Sequence, residues 1–111
     1  MKTACSMLAA ARARILEVPV SAAEAALERA DVLIDVRDED EFHAGHLPGA
    51  VNIPRGRLEF ELARKTTLAD TGIHIVLYSQ EGDRAALAAA TLVDMGYMQV
   101  RSILGGYTAW T

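Results

Sequence analysis

Ile73-His74-Ile75-Val76-Leu77-Tyr78, followed at once by Ser79-Gln80-Glu81-Gly82-Asp83-Arg84, decides the fold of this chain. The first six residues are apolar on both faces, as a central strand of a parallel sheet is when helices cover it above and below. Beyond the loop a helix is expected from about Arg84 to Met95, with Leu87, Ala88, Thr91, Leu92 and Met95 on one stripe and Gly96 closing it. Strand, tight loop and helix make an architecture suited to an anion. Backbone N–H groups converge in the loop, and the helix presents its positive end to them.

Working outward, Val32-Leu33-Ile34-Asp35-Val36 reads as a second buried strand that delivers Arg37-Asp38-Glu39-Asp40-Glu41 to its C-terminal end. Before it, Ile15 to Val20 reads as a short strand, and Ser21-Ala22-Ala23-Glu24 has capping-box spacing for a helix through about Arg29. After it, His46-Leu47-Pro48-Gly49-Ala50 carries a turn signal, Val51-Asn52-Ile53 makes a brief strand stopped by Pro54, and Leu58 to Lys65 is helical. Val100 to Ile103 forms a last strand, and Gly105-Gly106 leads into a terminal turn where Tyr107 and Trp110 lock the end onto the domain. Strands alternating with helices predict an α/β fold with a parallel sheet covered on both faces. Residues 1–14 read as an N-terminal helical arm and residues 15–111 as the domain.

The chain has 111 residues, enough for one domain, and its 51% hydrophobic and 23% charged residues suit a packed core. Eleven Lys and Arg against fifteen Asp and Glu leave a formal charge of -4, so no global basic field favours nucleic acid or an anionic membrane. A single cysteine, Cys5, excludes an intramolecular disulfide and a Cys-rich metal site. No apolar run approaches a membrane span, and the alanine-rich N-terminus followed by Arg12 and Arg14 reads as an arm rather than a leader. The expectation is a soluble, cytoplasmic protein.

Four motifs in order then become recognisable: Leu33-Ile34-Asp35-Val36-Arg37, the run from Glu41 to Pro54, Val76-Leu77-Tyr78 with its loop, and Leu104-Gly105-Gly106-Tyr107-Thr108-Ala109-Trp110. Together, from about Val20 to Trp110, they resemble the rhodanese-homology family of single-domain sulfurtransferases. The resemblance implies a five-stranded parallel sheet flanked by helices, with the active loop at the C-terminal end of the central strand, where open α/β sheets bind ligands. Family members take a sulfane sulfur from a donor such as thiosulfate onto a cysteine thiolate and pass it from the persulfide to a thiol or cyanide.

In that family the loop opens with cysteine, then two variable residues, glycine, one more residue and arginine. Here Ser79 stands at the cysteine position, while Gln80, Glu81, Gly82, Asp83 and Arg84 keep the frame. A serine hydroxyl stays protonated without a base to activate it, and it has no sulfur to extend into a persulfide. Arg84 offers a planar fork for a sulfur or phosphorus oxyanion, or ties the loop to backbone carbonyls or to Asp35. Glu81 and Asp83 disfavour a free dianion, or point to solvent with Asp83 complementing the helix dipole. Asp35 is expected to orient Arg37 or loop amides, His46 to belong to a structural turn, and His74 to be a hydrogen-bonded interior histidine. His43 and His46 without a third ligand do not make a metal site, and no cofactor is implied.

Dual-specificity phosphatases of the cell-cycle type share this fold, but their loop is one residue longer between nucleophile and arginine than the stretch Gln80 to Asp83. The function expected is a rhodanese-like domain lacking sulfur transfer, acting as an anion-binding or regulatory module. Its expected partners are a small oxyanion or sulfur donor, or a protein docking on the rim around Glu81 and Asp83. The alternative is a sulfurtransferase whose active-site cysteine was replaced by Ser79.

Overall fold

Two strands buried on both faces, Val32–Asp35 (β2) and His74–Tyr78 (β4), lie side by side in the computed structural model, which describes residues 2–111. With Leu16–Val18 (β1), Val51–Asn52 (β3) and Gln99–Ile103 (β5) they form a wholly parallel five-stranded sheet in the order β1-β5-β4-β2-β3. Asp35 is in register with Tyr78, so the chain leaves β2 at Val36-Arg37 beside the point where it leaves β4 at Ser79. That register places the candidate site.

Helices cover both faces. On one, Asp83–Asp94 (α5) and Leu58–Arg64 (α4) set Ala85, Ala88, Ala89, Leu92, Leu58 and Leu62 against Ile34, Ile75 and Leu77 of the sheet. On the other, Val20–Arg29 (α2) and Gly106–Trp110 (α6) pack Ala23, Leu27, Tyr107 and Trp110 against Leu33, Val76, Tyr78 and Ile103. Each fully buried Ile or Leu contributes about 1.5–3 kcal/mol. A further helix, Ala4–Arg12 (α1), opens with a Thr3-Ser6 capping box and packs on α5. The pairs Arg12–Asp83, from the last turn of α1, and Arg14–Asp94, just beyond it, pin this end of the arm to α5. Among the described residues no helix is long and apolar enough to cross a membrane.

The structure departs from the sequence pattern in four places. Ser21 does not cap α2, which starts already at Val20 with Pro19 as N-cap. Proline fixes φ, here at -69°, and has no N–H for a helix start to leave unpaired, so the helix begins directly behind it and Ser21 falls inside. The capping box lies instead at Asp38 and Glu41, which open a short helix, Glu39–Ala44 (α3), within the charged cluster that follows β2. The buried stripe of α5 is rotated: Ala85, Ala88, Ala89 and Leu92 meet the core while Met95 is exposed. With the sheet on one side and α1 on another, alanines bury more of this helix than its bulkier residues do. The terminal turn is a helix, α6, and Tyr107 and Trp110 do pack it onto the domain.

Candidate functional site

The loop from Ser79 to Gly82 closes on its own first side chain. Ser79 is 1% exposed, and its Oγ accepts the N–H of Gly82 and the N–H of Ala85, each at 3.1 Å. Gly82 is the N-cap of α5, with φ of 99° and no side chain to cap with, so the Ser79 hydroxyl caps the helix from upstream. Both bonds are received by the oxygen; no carboxylate or imidazole among the described residues lies in hydrogen-bond contact with it. Two amides at the start of α5, those of Gly82 and Ala85, therefore converge on Ser79 Oγ.

The outer side of the loop is held by α6. Tyr107 N–H donates to Ser79 O and Thr108 N–H to Gln80 O, each at 2.9 Å. This approach requires glycine at position 106. Its φ is +60°, and a Cβ there would sit 2.9 Å from both Gln80 O and Gly82 N and collide with Ser79 O.

Arg37 holds the loop from the β2 side. It is 2% exposed; Nε and Nη2 fork onto Asp35, with Nη2 at 2.8 Å from Oδ2, while Nη2 also reaches Gly45 O at 2.6 Å. Nη1 donates to Gln80 Oε1 at 2.9 Å, and Gln80 Nε2 continues to Thr108 Oγ1. Asp35, wholly buried, accepts the Arg37 N–H as well. The Tyr107 ring lies 4.4 Å beneath the guanidinium. Asp35 orients Arg37, as expected, and Arg37 positions Gln80. Tyr78 OH accepts the Leu47 N–H at 3.0 Å, and burial pushes its phenol above the ordinary range.

Arg84 does not tie to Asp35 or to backbone carbonyls. Its two terminal nitrogens each meet an oxygen of Glu41 at 2.9 Å, and Glu41 also accepts the Asp38 N–H. The Arg84 hydrogen bonds, followed by the Asp38 N–H, bring the Glu41 carboxyl down from 4.5 to about 2. The sign follows: a lowered folded-state pKa adds stability above about pH 4.5, and that stability is lost as pH falls toward 2. Both side chains are about one-third exposed, so solvent screening limits the contribution to about 1 kcal/mol or less. Glu41→Gln is expected to flatten stability between pH 4.5 and 2 in urea titrations. An unchanged acid limb would show that the pair contributes nothing.

Asp83, the first residue of α5, is exposed and takes Arg12 Nη2 at 3.1 Å; Arg12 Nε also lies 3.3 Å from Glu17. Glu81 is exposed at the rim. His46 belongs to the turn after α3, its Nδ1 2.9 Å from Phe42 O and its ring stacked on Phe42 at 3.8 Å. His74 lies at the other end of β4, half-buried; the hydrogen bond at that position runs from its backbone N–H to Asp31 Oδ2. Cys5 is exposed on α1. The sequence reading missed Glu41, Arg12 and Gly106 as parts of the site. Only Glu41 carried a local signal, its three-residue spacing from Asp38; Arg12 and Gly106 act across the fold.

Three guanidiniums surround the loop, and each is held by a carboxylate: Arg37 by Asp35, Arg84 by Glu41, Arg12 by Asp83 and Glu17. An incoming dianion would have to displace one of these partners to gain a cation.

Comparison with known proteins places this geometry. The family model described as Rhodanese-like domain matches residues 20–111. Thiosulfate sulfurtransferase 18 of Arabidopsis thaliana is 34% identical over 106 residues, covering 86% of this chain and 78% of its own. The structure of human single-domain sulfurtransferase TSTD1 superposes with a TM-score of 0.76 at 29% identity, over 85% of this chain and 93% of its own. A Rhodopseudomonas palustris CGA009 protein, RPA3614, described as of unknown function and a possible tyrosine phosphatase, gives 0.87 at 30% identity over 99% of this chain and 89% of its own.

Proposed function

The chain belongs to the rhodanese-like family, whose members here include thiosulfate sulfurtransferases, and from that premise we propose that it is a regulatory or interaction module without sulfur-transfer turnover. The observation that carries the reading is Ser79 Oγ, buried, receiving two amide hydrogen bonds and facing no base. Nucleophilic catalysis by a hydroxyl needs an adjacent proton acceptor, and persulfide chemistry needs sulfur at this position; neither requirement is met. The hydroxyl serves as a helix cap, a structural task.

Of the two partner classes, a small oxyanion and a protein, the site favours the protein. Two of the amides at the helix start, those of Gly82 and Ala85, are bonded to Ser79, and the neighbouring guanidiniums are bonded to carboxylates. Glu81 and Asp83 stay on the exposed rim, where a partner surface reaches them. The same points argue against a phosphatase: the stretch Gln80 to Asp83 is short for that loop, and Arg84 is forked onto Glu41 rather than turned to a phosphate position.

Incubation with thiosulfate followed by intact-mass measurement tests the reading. The expected spectrum shows the unmodified chain. One added sulfur mapping to residues 79–84 would overturn it. A sulfur on the exposed Cys5 is distinguished by repeating the measurement on Cys5→Ser.

A further inference from the structure

Among the described residues, eight of the eleven Lys and Arg side chains are in ion pairs, and Lys2, Arg29 and Arg101 are not. Arg29 and Arg101 line the same groove, a cavity of about 200 Å³ between α2 and the sheet, together with His74. No Asp or Glu lines it. In a chain of net charge -4 the groove thus gathers two guanidiniums that have no ion-pair partner among the described residues, the nearby Asp31 carboxylate accepting the His74 N–H.

Arg29 alone needs no ligand, since the last turn of α2 favours a cation by the helix dipole. Arg101 has no such reason. It sits within β5, in register with Val76 on one side and Leu16 on the other, and Ile103, two residues on, packs in the α2-side core. The side chain therefore turns toward α2, where it is half-buried with one long hydrogen bond, 3.4 Å, to Gln99 Oε1. A partly desolvated guanidinium without a counter-charge is costly, and a bound anion would supply that charge.

We infer that this groove binds a small organic carboxylate, its head held between Arg29 and Arg101 and its short alkyl tail against the apolar floor. Val18, Ala26 and Val76 form that floor, which disfavours a fully hydrated inorganic anion. Two guanidiniums match a carboxylate head, and the His74 ring adds a hydrogen-bonding group at the rim. About 200 Å³ is below the roughly 300–1,000 Å³ of pockets for drug-sized ligands, which sets the tail at a few carbons. The groove opens at the start of β4, about 16 Å along the strand from Ser79 at ~3.3 Å per residue, so it is independent of the chemistry at the loop.

Butyrate is the probe, titrated into the isotopically labelled full chain and followed by backbone amide shifts. Saturable shifts are expected at His74, Val76 and Arg101, with Ser79 to Arg84 unmoved. Acetate should bind more weakly, by about fourfold for each buried methylene lost, and uncharged butyramide should not saturate. Arg101→Gln and, separately, the exposed Arg29→Gln should each weaken butyrate at least about tenfold, as removal of one charged hydrogen-bond partner does. The second variant keeps the test open if the first fails to fold. Absence of saturable shifts, equal binding of butyramide, inorganic phosphate binding as tightly as butyrate, or unchanged affinity in a folded variant would each overturn the assignment.

Discussion

Ser79→Cys is expected to create a thiol that ionises below the ordinary cysteine range and accepts a sulfur from thiosulfate, where the parent protein accepts none. The Gly82 and Ala85 N–H groups already point at the side-chain atom of residue 79, at the start of a twelve-residue helix. At such positions cysteine pKa falls from about 8.5 to about 3.5–7.5. The thiolate attacks the sulfane sulfur of thiosulfate; the new S–S bond forms as the bond to the sulfonate sulfur breaks, and sulfite leaves with the electron pair. Cyanide then takes the outer sulfur as thiocyanate and returns the thiolate. With the parent at background, the gain should exceed about a hundredfold, the scale on which an activated nucleophile acts. Glu81 and Asp83 oppose the dianion from the exposed rim, so turnover of Ser79→Cys should rise with moderate salt as that repulsion is screened. A thiol titrating near 8.5 would show that the loop amides do not favour negative charge at position 79.

Breaking the Asp35–Arg37 pair is expected to cost about 3–5 kcal/mol, a large share of the ~5–15 kcal/mol that holds a domain folded. Arg37→Ala leaves Asp35 wholly buried beside a single backbone donor and strips Gly45 O and Gln80 Oε1 of their partner. The loop then loses its tie to β2, and α6 loses the guanidinium over Tyr107. Arg37→Lys should recover only part of the loss, because one ammonium cannot span Asp35, Gly45 and Gln80 together. Asp35→Leu combined with Arg37→Met should cost less than either single change, since no charge is then left unpaired. Urea unfolding of the parent, Arg37→Ala, Arg37→Lys, the single changes Asp35→Leu and Arg37→Met, and their double variant measures this. Additive losses in the double variant would mean that the two residues act separately.

The parallel order of strand and helix was legible because β2 and β4 are apolar on both faces and their ends are marked by charge or glycine. The loop frame was legible for the same reason, as a strand end meeting a helix start at Gly82 and Arg84. Partners of the loop were harder to read. Glu41 meets Arg84 only because the register of β2 with β4 brings α3 over the loop, and a run of four acids looks like a solvated turn until that register is known. Gly106 and Arg12 reach the loop from the two ends of the chain, at sequence separations no local pattern encodes. Pro19 shows the converse: a good capping pattern at Ser21 yields to a stronger local constraint upstream.

The side-by-side rate of thiosulfate-to-cyanide sulfur transfer by the parent chain, Ser79→Cys and Ser79→Ala decides whether the Ser79 hydroxyl is a helix cap or a nucleophile. Thiocyanate is expected at the uncatalysed background for the parent and for Ser79→Ala, and catalytic turnover for Ser79→Cys alone. Turnover by the parent that Ser79→Ala abolishes would contradict this expectation, because the hydroxyl would then be a nucleophile and not a cap.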